Sequence, residues 1–153
     1  MGSKMIRINE CHAEKRWQAL SHPDVSKWVF IDLPVSFEKT KEWCATVGNR
    51  ENRADFCFEC DGETAGFAGI VNIDHKSSVA ELYIFLHPDF FSKGVGSKFL
   101  NMLLAYGKLE LNLRKIILYV TSDNEKAILY YEKNGFIKEG VLRSHVWFRG
   151  AYR

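Results

Sequence analysis

Several patterns are missing from this sequence, and each absence excludes a class. No stretch approaches the roughly 20 consecutive apolar residues of a membrane-spanning helix. Met5 to Trp17 is polar and lacks the apolar run of a secretory leader, so the expectation is a soluble, reducing, cytoplasmic setting without a membrane partner. No charge sign dominates: 21 Lys and Arg stand against 19 Asp and Glu, a formal net charge of +2. A dedicated nucleic-acid binder usually carries a strong basic excess, so no nucleic-acid partner is expected. Cysteine is scarce, with only four residues, Cys11, Cys44, Cys57 and Cys60. Cys57 and Cys60 form a lone C-x-x-C without the second pair that a zinc site needs. Their segment reads as a strand, where residues three apart point to opposite faces. Buried, reduced thiols and no metal are expected. Internal repeats and low-complexity linkers are also lacking. What remains is a single domain over 1–153, with 46% apolar and 26% charged residues, ordinary values for a globular protein. A chain of this length buries a core without needing a staple.

The hydrophobic periodicity outlines the elements. Ile6 and Ile8 alternate with polar residues as in a short strand. Ala13 to Leu20 reads as a helix. His22-Pro23 and Leu33-Pro34 punctuate an irregular stretch, because the residue before proline avoids helical geometry. Ser36 to Val47 reads as a second helix with Ser36 as N-cap, and Gly48 to Arg53 as a charged loop. Phe56–Cys60, Asp61-Gly62 and Thr64–Ile73 form a hairpin signature with a type I′ turn. Val79 to Leu86 is apolar and aromatic on both faces and predicts a central, doubly covered strand. Pro88 ends it, and a glycine-bearing loop leads into a helix over about Lys98–Lys108. Lys115 to Val120 is a further strand. Ser122 and Glu125 have capping-box spacing ahead of a helix that runs to about Lys133. Asn134-Gly135 stops that helix, and Phe136 to Arg149 reads as a final strand region. The order predicts an α+β or mixed-sheet sandwich, not an alternating dinucleotide fold.

Lys93-Gly94-Val95-Gly96-Ser97-Lys98 admits several readings. A dinucleotide fingerprint wants a third glycine where Phe99 stands. A Walker A loop wants a different lysine and serine order. A nest of backbone amides at a helix N-terminus, suited to a pyrophosphate, fits the glycines better. An ordinary tight turn is the plain alternative.

Two longer stretches decide the weighting. Pro88–Gly96 resembles motif A of the GNAT acetyltransferases, Q/R-x-x-G-x-G/A. Asn124–Phe136 resembles their motif B, N-x-x-A-x-x-x-Y-x-x-x-G-F. The resemblance covers roughly Phe56 to Arg153. It points to the branch of ribosomal-protein, polyamine and nucleotide-amino-sugar acetyltransferases, with His22–Trp28 and Glu139–Arg143 typical of that branch. The implied fold is the GNAT fold, a central mixed, mostly antiparallel twisted sheet flanked by helices.

The resemblance further implies acetyl-CoA as cosubstrate and a small-molecule or peptide amine as acceptor. Ser92, Lys93, Gly94, Val95, Gly96 and Ser97 would hold the pyrophosphate through their amides. Leu86 would pair its backbone with the pantetheine arm, and Asn124 would touch the cofactor. Tyr131 would serve as general acid to the leaving thiolate, with a core aromatic as the plainer role. Glu81 is the first candidate for the base, against a solvated strand residue. Tyr130 reads as packing, and His75, His87 and His145 as surface or turn residues. Two departures stand out. Phe91 replaces the Gln or Arg that opens motif A. The sequence also stops at Ala151-Tyr152-Arg153, where relatives continue with one more strand; a homodimer that covers the exposed edges is the corresponding expectation. The rival functional reading is a non-catalytic acetyl-CoA-binding or degenerate module.

Overall fold

The computed structural model describes residues 2–153. Five strands form one sheet: β1 (Ser3–Arg7), β2 (Ala54–Cys60), β3 (Glu63–Asp74), β4 (Val79–Leu86) and β5 (Lys115–Ile117), in that spatial order. All neighbours are antiparallel except β4 and β5, which run parallel. The α+β expectation therefore holds, with a mixed, mostly antiparallel sheet. The β2–β3 hairpin turns at Asp61 and Gly62, both at positive φ, as a type I′ turn requires.

Strand alternation sends the two faces of the sheet to two cores. On one face, Phe56, Phe58, Ile70 and Leu82 meet Phe99, Leu100 and Leu103 of α4 (Val95–Leu109). Phe58 and Phe99 stack nearly parallel, with centroids 4.3 Å apart. On the other face, Cys57 and Phe67 pack with Ala19 of α1 (Ala13–Ser21) and Cys44 of α3 (Phe37–Thr46). Cys57 is fully buried and reduced, and burial pushes its thiol up to about 12. This second face also holds charge. Arg53 grips the buried Asp55 through two 2.7 Å hydrogen bonds, and the Tyr83 hydroxyl donates to the same carboxylate at 2.6 Å. Arg16 lies over the Trp43 ring, 4.2 Å from its centroid.

Several expectations change. The stretch after His22-Pro23 contains a helical turn, α2 (Pro23–Ser26), because proline suits the first helical position and His22 caps it by accepting from the Asp24 amide. The doubly covered centre is formed by β2 and β3. β4 alternates between buried and half-buried positions over Val79–Leu82 and is half-buried from Tyr83 to Leu86. α4 begins at Val95 rather than Lys98, since Gly96 lies in a first turn whose amides take no intrahelical bond. β5 ends at Ile117 instead of Val120. The capping box of Ser122 and Glu125 gives way to Asn124, whose side chain accepts from the Ala127 amide to cap α5 (Glu125–Lys133). The expected strand over Phe136–Arg149 is replaced by a short separate hairpin, β6 (Trp147–Phe148) with β7 (Ala151–Tyr152). Residues before it, such as Ile137 at 86% exposure, have no neighbouring strand to pair with.

Candidate functional site

The parallel pairing of β4 with β5 covers only Val79, Ala80 and Glu81 opposite Lys115, Ile116 and Ile117. Beyond that point the two strands part, and the upper half of β4 has one open edge. The register identifies which backbone groups face it. The His87 amide donates to Ala65 O of β3 at 2.8 Å. Backbone groups alternate sides along a strand, so those of Phe85 and Tyr83 also face β3. Those of Leu86 and Ile84 then point into the gap. Gly66 on β3 keeps the floor tight, because a Cβ there would lie 2.9 Å from both the Leu86 side chain and Phe85 O.

The loop that follows ends at the N-terminus of α4. Ser92 and Gly94 both have positive φ, the geometry that turns successive amides toward one side. Gly94 is the N-cap, with no side-chain cap and no acidic residue in the first turn. Among the described residues, the amides of Ser92 to Ser97 have no protein partner. A fifteen-residue helix thus presents its positive end and unpaired donors beside the open edge of β4.

α5 closes the other side. Tyr130 and Tyr131 pack edge to face at 5.3 Å, and Tyr131 packs on Phe136 at 5.5 Å. Burial pushes the Tyr131 hydroxyl up to about 12, and the neighbouring Tyr130 adds to the shift. Tyr130, read from the sequence as packing, turns its hydroxyl toward the first turn of α4. Its buried hydroxyl has no hydrogen-bond partner and lies 3.2 Å from where a Cβ on Gly96 would stand. Glu81 is the last β4 residue paired with β5, and its carboxylate accepts from the Asn72 side chain at 3.1 Å. At about 3.3 Å per residue it lies ~17 Å along the strand from Leu86, at the closed end of the gap. His87 is buried. Its Nδ1 accepts from the Asp89 amide, and burial lowers its pKa. That bond leaves the proton on Nε2, so His87 is a donor in its neutral form. His75 and His145 are exposed. No group of three or more His, Cys, Asp or Glu among the described residues is placed to hold a metal.

The sequence profile of the acetyltransferase (GNAT) family matches residues 15–136. The chain belongs to the GNAT family. The spermidine N(1)-acetyltransferase of Escherichia coli K12 is 41% identical over 98 residues, which is 64% of this chain and 53% of that protein. The acetyltransferase PseH of Campylobacter jejuni is 30% identical over 121 residues, 79% of this chain and 73% of that protein. The chain thus spans about half the length of the spermidine enzymes it matches from Escherichia coli. A spermidine N-acetyltransferase from Vibrio cholerae, solved in complex with CoA and spermine, superposes with a TM-score of 0.89 at 24% identity. That alignment covers 98% of this chain and 89% of the neighbour, and it establishes the GNAT fold here.

Within that fold, the open edge of β4 runs from Glu81 at its closed end to Leu86, the glycine loop follows, and Tyr130 brings α5, which carries Tyr131 and is capped by Asn124, against Gly96. Ile84 was missed from the sequence. Nothing in its apolar side chain marks it, and only the β3–β4 register shows that its backbone faces the opening. Asn124 has a structural duty that the motif alone conceals, because its Oδ1 is engaged in capping α5.

Proposed function

We propose that this chain transfers an acetyl group from acetyl-CoA to a primary amine by direct attack in a ternary complex. The observation that carries this reading is the continuity of unpaired donors, from the Ser92–Ser97 amides down the open edge of β4 past Leu86 and Ile84. A pyrophosphate fits the first group, since glycine lets backbone approach closely and no carboxylate opposes it. An amide-bearing arm fits the second, as an added strand would. The thioester then lies deeper in the gap, where the Ile84 amide can polarise its carbonyl oxygen.

The amine nitrogen forms a bond to the carbonyl carbon while the carbon–sulfur bond breaks, and the amine proton leaves to a base. An alkyl amine with a pKa near 10.4 is almost wholly protonated at neutrality, so a base at the closed end is needed. Glu81 is placed for that role, directly or through water. Tyr131, held protonated at neutral pH by a pKa of about 12, donates to the departing sulfur. A thiol has a pKa near 8.5. Full proton transfer from Tyr131 is therefore uphill, and its main contribution is a hydrogen bond to the developing thiolate. The polyamine relatives make spermidine the first acceptor to try, followed by a peptide N-terminus and a nucleotide-linked amino sugar. A homodimer accompanies this reading; exposed Leu129, Trp147 and Tyr152 are the apolar surface it would cover, and light scattering tests it.

The deciding experiment is calorimetric titration with acetyl-CoA, followed by thiol release with spermidine. Tyr131→Phe should leave acetyl-CoA affinity within about twofold and lower kcat about 10- to 100-fold. Acetyl-CoA binding without turnover on any of the three amines would favour the non-catalytic alternative. Unchanged kcat in the variant would remove Tyr131 from the mechanism.

A further inference from the structure

The two-residue turn between β6 and β7 carries an unusual residue. Arg149 and Gly150 occupy it with φ of 50° and 82°. Such type I′ turns favour Asn-Gly or Asp-Gly, because their first central position is left-handed and disfavours a long side chain. Arg149 is held there by its guanidinium. It makes four hydrogen bonds, two to Ser26 O at 2.6 and 3.2 Å, one to Val29 O at 3.1 Å and one to Ile31 O at 3.0 Å. Phe148, its neighbour, packs on Phe30 with centroids 5.0 Å apart. The hairpin has a second arginine, Arg153, which pairs with Asp123 just before α5.

Its two arginines anchor the hairpin at two separate segments, Ser26–Ile31 and Asp123. Asp123 belongs to the segment that continues β5 after it has left β4. Ser26 ends α2, and α2 follows α1. α1 lies over β4: Arg16 stands above the Tyr83 and Phe85 rings. The hairpin therefore ties the segment after α2, which follows the helix over β4, to the segment that leaves β5. The segment it grips has few bonds of its own, and it exposes Trp28, Phe30 and Leu33. Ser26 at its start and Leu33 just beyond its end line a groove of about 410 Å³ with Trp17, Ser21, Pro34 and Val35.

We infer that Arg149 is a positioning residue that fixes the Ser26–Ile31 segment as the acceptor-side wall of the site. It sets affinity for the amine and leaves cofactor affinity alone. The acceptor half of this inference rests on the transferase reading above; the tether half does not. Arg149→Asn is the informative variant, because asparagine suits the left-handed turn position and only the guanidinium grip is lost. Hydrogen exchange on a peptide spanning Val29–Leu33 should speed up about tenfold, while acetyl-CoA affinity by calorimetry stays within about twofold. KM for spermidine should rise about tenfold with kcat retained, and Arg149→Lys should recover little of it, since a single ammonium cannot reproduce the fork. Unchanged exchange in Arg149→Asn overturns the tether. Faster exchange with an unchanged spermidine KM overturns the acceptor role. Equal losses for acetyl-CoA and spermidine overturn it as well, by showing a general loosening. If the intact protein binds acetyl-CoA but acetylates neither spermidine, a peptide N-terminus nor a nucleotide-linked amino sugar, the transferase reading fails and takes the acceptor role with it. The exchange result still decides the tether.

Discussion

Two helix N-termini flank the gap, and they are built in opposite ways. α5 is finished: Asn124 accepts from the Ala127 amide, and Glu125 supplies an acidic first turn. α4 is left open: Gly94 offers no side chain, no acid follows, and the loop amides before it are also unpaired. A free helix end costs stability that a cap would restore, commonly about 1 kcal/mol. An end left free on the longer helix, beside an unpaired strand edge, is the arrangement expected where an anion completes the cap. The shorter helix has no such duty at its amides and is capped from within.

The strongest way to break this contrast is to finish α4 as α5 is finished. Ser97 occupies the third helical position, where an acidic residue favours the helix by about 0.3–1 kcal/mol. Ser97→Glu should leave the melting temperature unchanged or higher. It also places a carboxylate where the pyrophosphate would lie. Two like charges ~5 Å apart at an effective dielectric near 20 repel by on the order of 3 kcal/mol. Acetyl-CoA affinity should therefore fall about 100-fold or more by calorimetry. A variant that is more stable and binds equally well would show that the open end of α4 is not the anion site.

A smaller effect is expected at the capped end. Asn124→Ala should cost about 1 kcal/mol of stability in a denaturant titration, through loss of the cap to Ala127. Asn124→Asp keeps an acceptor at the same place and should cost little. The pair also separates Asn124's two assignments. Its Oδ1 serves the helix, so any contact with the cofactor must come from the amide nitrogen, which both variants remove. If Asn124→Asp keeps stability and full acetyl-CoA affinity, the cofactor contact suggested by motif B is absent and the residue is a cap only.

The unequal legibility of these features follows from how local they are. The Asp61-Gly62 turn, the glycine loop and the spacing from Asn124 to Phe136 are short-range patterns, and a sequence displays them directly. The open edge is different. Lys115–Val120 has strand composition throughout, yet only Lys115–Ile117 is a strand, because a ladder exists only where a neighbour lies alongside. The same reason removes the strand expected over Phe136–Arg149. Ile84 faces the open edge through its backbone, which has no sequence signature. Arg149 reaches carbonyls more than a hundred positions away, and side chain-to-backbone contacts of that range leave no spacing to read. Tyr130 read as packing, and only the folded arrangement brings its hydroxyl against Gly96.

That last contact joins the body of α5 to the open end of α4 and provides the finest test of the comparison. Tyr130 leaves the capped helix and ends on the first turn of the open one, with its hydroxyl buried and unpartnered. A buried hydroxyl without a partner costs about 1–3 kcal/mol of desolvation, so Tyr130→Phe should be neutral or stabilise the ligand-free protein by up to about 1 kcal/mol. Gly96→Ala brings a Cβ to 3.2 Å from the same hydroxyl, a contact tighter than ordinary packing. Alone, it should destabilise by a few tenths to about 1 kcal/mol, with the gain in helix propensity offset by crowding. In the Tyr130→Phe background the crowding is gone, and the alanine should become neutral or favourable. A double-mutant cycle that gives additive effects within about 0.3–0.5 kcal/mol would mean that the two helices do not communicate through this contact. A coupling of about 1 kcal/mol would mean that the side chain fixing the open end of α4 is supplied by α5, so that closing one helix is part of holding the other ready.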